Sequence, residues 1–191
     1  LAQSLAKSGL GVPLNGELEE HIADMLSILL FADDVVLFAD SRKDLQRMID
    51  MVGLYSHKWR FEENLDKCGV MTVWANSQSK LSKDDEDDDP LKFLGEPVKE
   101  VKQYKYLGVI VHETLLWEEH IEYMAEKAEA ARLKYQRVFT NRRLPVRLRL
   151  HVYKTYIMPI LDYASGWADS KQSVRLEAIQ MSALRDILQC N

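Results

Sequence analysis

The chain has 191 residues, with 25 Lys and Arg against 30 Asp and Glu for a net charge of −5, and 47% of positions are hydrophobic. That balance supports a folded core and argues against a protein that holds nucleic acid by net charge alone. No apolar run approaches a membrane span, and two cysteines, Cys68 and Cys190, are too few for a disulfide framework or a zinc cluster, so no membrane and a reducing compartment are expected.

In chain order, residues 1–8 read as the end of a helix, broken by Gly9, Gly11 and Pro13, with a turn at Asn15-Gly16. Leu26–Phe31 and Val35–Ala39 read as paired strands, a hairpin that lifts Asp33 and Asp34 to its tip while both arms stay buried. Ser41-Arg42-Lys43-Asp44 has the form of a capping box, with Asp in the place of Glu or Gln. Leu45, Met48, Ile49, Val52, Tyr55 and Trp59 recur at helical spacing and predict a helix over 42–59. Val70–Trp74 reads as a short strand. Residues 76–90 are polar, with six consecutive acids at 84–89. Their mutual repulsion predicts an exposed loop rather than a cation site, which needs spaced ligands. Leu91–Phe93, Glu96–Val101 and Tyr104–Val111 read as short strands around Gly95.

Beyond Glu113 the period becomes helical. Trp117, Ile121, Met124, Ala128, Ala131, Tyr135 and Val138 form one stripe. Pro145 suits the first turn of a second helix carrying Leu148, Val152, Tyr156 and Ile157, which Pro159 kinks or ends. Leu176, Ile179, Ala183 and Ile187 mark a last helix. The four tryptophans read as core anchors, and only His112 and His120 lie near each other among the five histidines, so no metal site is expected from them. The composition divides into an α+β half, 1–113, and an all-α half, 114–191.

Charge is unevenly spread. From Lys127 to Lys154 nine Lys or Arg meet one acid, Glu129, a local charge of +8. Arg132, Lys134, Arg137, Arg142, Arg143, Arg147 and Arg149 are candidates to follow a nucleic-acid backbone, or are the polar faces of amphipathic helices. Because Arg132 and Lys134 lie off the apolar stripe, both readings leave them exposed.

Phe31-Ala32-Asp33-Asp34 resembles the catalytic hairpin of reverse transcriptases of non-LTR (LINE-like) retroelements. The resemblance continues in order. Asp44-Leu45-Gln46 through Lys58-Trp59 is similar to the following palm helix. Asn64-Leu65-Asp66-Lys67-Cys68 through Met71 is similar to the next motif, with its lysine at Lys67. Tyr104-Lys105-Tyr106-Leu107-Gly108-Val109 is similar to the primer grip. Trp117–Ile121, Tyr156–Trp167 and Leu176–Leu188 are similar to thumb helices. The resemblance implies the C-terminal part of a right-hand polymerase palm followed by a helical thumb. It also implies RNA-templated DNA synthesis with two Mg²⁺ ions, one activating the primer 3′-hydroxyl and the other steadying the leaving pyrophosphate.

In that reading Asp33 binds metal most directly and Asp34 supports it. Lys67 sits near the leaving group and can donate a proton; otherwise it is a solvated surface lysine. Tyr106, Leu107 and Gly108 place the primer terminus; otherwise they are a packed strand with a glycine bend. The family pattern also needs a further metal-binding Asp, a Gly-rich motif and a fingers region upstream, and residues 1–32 have no room for them. Asp24 lies too close to the hairpin to be that Asp. With Leu1 rather than Met at its start, the chain reads as a fragment or processed product, not expected to polymerise alone. Its expected partners are RNA or DNA, together with a complementary polymerase half. The alternative is a domesticated, noncatalytic RNA- or protein-binding subunit of a ribonucleoprotein, such as an organellar ribosome. A third reading is a protein-docking module whose uncovered apolar surface makes the isolated chain associate.

Overall fold

A computed structural model describes residues 1–13, 25–62, 64–73, 89–166 and 168–190. Asn15-Gly16, Asp24, Trp74, the acids at 84–88 and Trp167 lie outside the described residues. The chain forms two compact units, Leu1–Val70 with Asn76–Val101, and Met71–Ala75 with Lys102–Asn191. The division falls upstream of the composition change at 113/114, because residues 102–113 group with the helices. Helices and short antiparallel strand pairs together make the chain α+β, as the sequence predicts.

The first unit runs α1 (Ala2–Lys7), β1 (Val12–Pro13), β2 (Met25–Leu26), β3 (Ile28–Phe31), β4 (Asp34–Leu37), α2 (Arg42–Trp59), a 3-10 turn (Leu65–Lys67), β5 (Lys92–Phe93) and β6 (Glu96–Pro97). Helix α2 has the predicted bounds. Ser41 caps it, its hydroxyl accepting from the Asp44 amide at 3.1 Å. The reciprocal half of a capping box is absent, since Ser41 Oγ instead donates to the Asp44 carboxylate at 2.9 Å. Ile49 and Val52 of α2 meet Leu91 and Phe93 in a small core, with Leu37, Leu45, Leu65, Val70 and Val98 against it. The Gln46 amide extends the β5 edge, donating to Lys92 O at 2.7 Å and accepting from Lys92 N at 2.8 Å.

Several expectations are corrected here. The arms of the β3–β4 hairpin are not buried: Leu30 is 50% and Phe31 60% exposed. Among the described residues β3 pairs only with β4, and Leu37 alone of these strands joins the core. An apolar strand face without a covering layer stays in solvent. Trp59 is 61% exposed, grouped with Tyr55 and Phe61 at the end of α2 rather than anchoring a core. Val70 makes a single bridge to Glu100, and residues 71–73 are not a strand.

The second unit runs β7 (Gln103–Tyr106), β8 (Val109–His112), α3 (Glu118–Phe139), α4 (Val146–Tyr156), α5 (Met158–Ser165) and α6 (Ser170–Leu188). Tyr104–Val111 is a hairpin rather than one strand. Leu107 and Gly108 both have positive φ, 49° and 86°, which makes the two-residue turn that suits strand twist. Leu is rarely found in that region, so only Gly108 signalled the bend. Ile121, Met124 and Ala128 of α3 and Leu176, Ile179, Ala183 and Ile187 of α6 are buried in one core, as their spacing predicts. Asp169 starts α6 with a complete capping box shared with Gln172. The chain breaks at Ile157, so Pro159 falls in the first turn of α5, where its missing N–H is harmless. Of the expected stripe, Ile157 is buried and Val152 packs against the core, while Leu148 and Tyr156 are exposed and Tyr153 takes an inner position. Arg149, four residues before Tyr153, also turns inward.

Candidate active site and nucleic-acid surface

The register Ile28↔Leu37, Leu29↔Val36, Leu30↔Val35 and Phe31↔Asp34 leaves Ala32-Asp33 as a two-residue turn. Ala32 has φ 52°, a strained conformation for a residue with a Cβ, in the turn beside the carboxylates. Asp33 sits in the turn and Asp34 opens β4; both are exposed. Among the described residues neither carboxylate takes part in an ion pair or a side-chain hydrogen bond. Two adjacent hard-oxygen donors held apart from cations suit Mg²⁺. No cluster of three or more His, Cys, Asp or Glu ligands forms among the described residues. The hairpin therefore fits as part of a coordination shell that water, substrate phosphates and further carboxylates complete.

Lys67 is exposed at the end of the 3-10 turn, which Asn64 caps by accepting from the Asp66 amide at 3.1 Å. It belongs to the same unit as the hairpin. Tyr106 ends β7, and Leu107-Gly108 forms the β7–β8 turn in the helical unit. A Cβ built on Gly108 would lie 3.8 Å from Tyr163 Oη, an ordinary contact, so the positive φ rather than crowding calls for glycine.

The basic residues separate into two groups. Lys134, Arg137, Arg142, Arg143 and Arg147 are exposed on α3, the following loop and α4. Arg132 and Arg149 are buried, which corrects the expectation that Arg132 is exposed. Arg132 lies two turns beyond Ala125 on α3, where it meets Asp186 of α6. It donates to Glu129 and to Asp186, all at 2.8 Å. The Arg132 hydrogen bond holds the Glu129 carboxyl below its ordinary range, and Glu129, aided by Asp186, holds Arg132 above its own. Arg149 Nη1 donates to Phe139 O at 3.0 Å and Ile187 O at 2.6 Å, carbonyls at the ends of α3 and α6.

Sequence reasoning missed Asp186, Tyr163 and the role of His120. His120 is fully buried, and its Nδ1 accepts from Ile110 N at 3.4 Å. Burial holds its pKa below the ordinary histidine value. A lone buried histidine and an aromatic on another helix leave no periodic signal. Tyr123 is also drawn down, by the Lys105 ammonium that donates to its hydroxyl at 2.7 Å, with Lys127 over its ring.

The family model described as reverse transcriptase (RNA-dependent DNA polymerase) matches residues 13–111, and the chain belongs to this family. The RNA-directed DNA polymerase from mobile element jockey of Drosophila melanogaster is 21% identical over 187 residues, covering 92% of this chain and 19% of that protein. The resemblance to reverse transcriptases of non-LTR elements thus holds, and the chain spans about a fifth of that relative's length. No solved structure matches.

Proposed function

We propose that the first unit is the C-terminal part of a polymerase palm, that the helical unit is its thumb, and that together they serve RNA-directed DNA synthesis. The observation that carries this reading is the exposed Asp33-Asp34 turn, without ion pairs among the described residues, inside the region matched by the family model. Asp33 and Asp34 hold Mg²⁺, which when bound supplies activation of the primer 3′-hydroxyl and charge for the leaving pyrophosphate. The remaining carboxylate comes from other sequence, in the same polypeptide or a second chain, so residues 1–191 alone do not polymerise. Lys67 gives a proton to the leaving group. Tyr106, Leu107 and Gly108 place the primer end. Lys134, Arg137, Arg142, Arg143 and Arg147 follow RNA or DNA phosphates.

The same exposed cations need no catalysis, and they favour a second reading, a noncatalytic RNA-binding subunit of a ribonucleoprotein. One experiment separates the two. The native polypeptide is isolated with its partners, its intact mass is measured, and primer extension on an RNA template is assayed with Mg²⁺ and deoxynucleotides. The catalytic reading expects a mass well above 22.1 kDa and extension that Asp33→Asn reduces to background. A native mass near 22.1 kDa with bound RNA, and full function in the Asp33→Asn variant, establishes the second reading.

A further inference from the structure

A two-residue hairpin leaves backbone groups that its own ladder cannot use. In the β7–β8 pair, Tyr106↔Val109 flank the turn and Lys105↔Ile110 come next. Alternation in an antiparallel ladder then points the Ile110 N–H away from β7. The Leu107 carbonyl, inside the turn, also points outward. Both groups are met by helix side chains. Tyr163 of α5 donates its hydroxyl to Leu107 O at 2.7 Å. His120 of α3 accepts from Ile110 N through Nδ1 at 3.4 Å. The two side chains touch edge to face, with ring centroids 6.1 Å apart and planes at 74°.

Because Nδ1 accepts, the ring is neutral with its proton on Nε2. Nε2 has no hydrogen-bond partner among the described residues, so the ring's polar contact is the one bond to β8. The turn is therefore not set by its own strands alone. Two helices grip it at adjacent points, one on the turn carbonyl and one on the strand leaving it.

We propose that Tyr163 and His120 are positioning residues that fix the Leu107-Gly108 turn, and through it the primer end, against the helical unit. This rests on the reading of that turn as the primer-placing element. Fixing a backbone turn matters because a reacting end misplaced by about 1 Å can slow transfer about a hundredfold while binding is largely kept.

The test uses the full native polypeptide with the Tyr163→Phe substitution, which removes one hydroxyl and keeps the ring. Hydrogen exchange read by mass spectrometry is expected to speed about tenfold in peptides covering 103–112 and to stay unchanged in α6. Primer extension is expected to fall in kcat, with primer–template affinity and melting temperature nearly unchanged. His120→Leu should likewise speed exchange at Ile110, and His120→Asn, whose carbonyl lies where Nδ1 does, should restore it. Unchanged exchange in Tyr163→Phe overturns the clamp. Faster exchange with unaltered kcat overturns the positioning role. A wild-type polypeptide that, isolated with its partners, extends no primer overturns the polymerase reading and the positioning role with it, while the exchange result still decides whether the clamp exists.

Discussion

The two units treat their apolar residues differently. In the helical unit Phe139, Ile157, Ala183 and Ile187 are all fully buried, each on a stripe that meets a neighbouring helix. In the first unit Ile49, Val52, Leu91 and Phe93 form a small core and Leu5 and Met48 are also buried, while Phe31 of the hairpin and Leu54 of α2 stand 60% and 73% exposed. A helix with one apolar stripe is satisfied by local partners. A strand pair presents two faces and two edges, and needs further strands or helices to cover them. The difference teaches that helices with apolar stripes close a core among themselves, whereas the hairpin arms lack a covering layer among the described residues.

The sharpest way to break this comparison is to hollow the helical core. Phe139→Ala should lower the unfolding free energy of the helical unit by about 3–5 kcal/mol, read by urea titration of the helical circular dichroism. A loss under about 1 kcal/mol would mean the core is loose. Next comes Arg149→Met, which strands two buried carbonyls. Urea unfolding should show about 2–3 kcal/mol lost, whereas Arg147→Met, two residues away and exposed, should change stability by less than about 0.5 kcal/mol.

The Arg142→Ala, Arg143→Ala pair should leave folding intact and weaken RNA or DNA binding. Each removed phosphate contact should reduce the log–log salt slope by about 1, seen by fluorescence anisotropy across a salt series. A slope that does not move would assign these arginines to solvent.

A pH series tests His120. Its folded pKa lies below the unfolded value of 6.5, so the unfolded chain binds the extra proton first. The contribution is complete above pH 6.5 and is lost as pH falls from there toward the lowered folded value. Melting temperature of the helical unit should therefore drop between pH 7.5 and 5.5, and His120→Asn should flatten that drop. The smallest effect is expected from Phe31→Ser in the exposed hairpin arm, within about 0.5 kcal/mol for the isolated chain. A large loss there would show that the arm is covered after all.

Much of the fold was legible where periodicity and caps agree. Ser41 and the Leu45–Trp59 pattern gave the bounds of α2, and Leu176, Ile179, Ala183 and Ile187 gave the buried face of α6. What stayed hidden was what hydropathy scores as polar. Arg149 occupies the inner face of α4, spaced by four from Tyr153 and by eight from Ile157, but a charged residue reads as an outer one. Arg132 was hidden in the same way, because its partner Asp186 lies far along the chain. The β7–β8 turn showed only as a glycine bend at Gly108, because Leu107 carries no turn preference. The β1–β2 pair, with Val12 opposite Leu26, is too short to give an alternation. At the candidate site, the carboxylate turn was legible because two acids interrupt an apolar run; its exposed arms were not, because covering layers are a tertiary fact.

Arg149 also sets an order in time. Its guanidinium joins the end of α3 to Ile187, 38 residues further along the chain. A ribosome adds that stretch in about 2–8 seconds. During that interval α3 is already made and α4 is completed, but the second carbonyl that Arg149 needs does not yet exist. The helical unit can therefore gather its first helices early, yet it locks only when the end of α6 emerges.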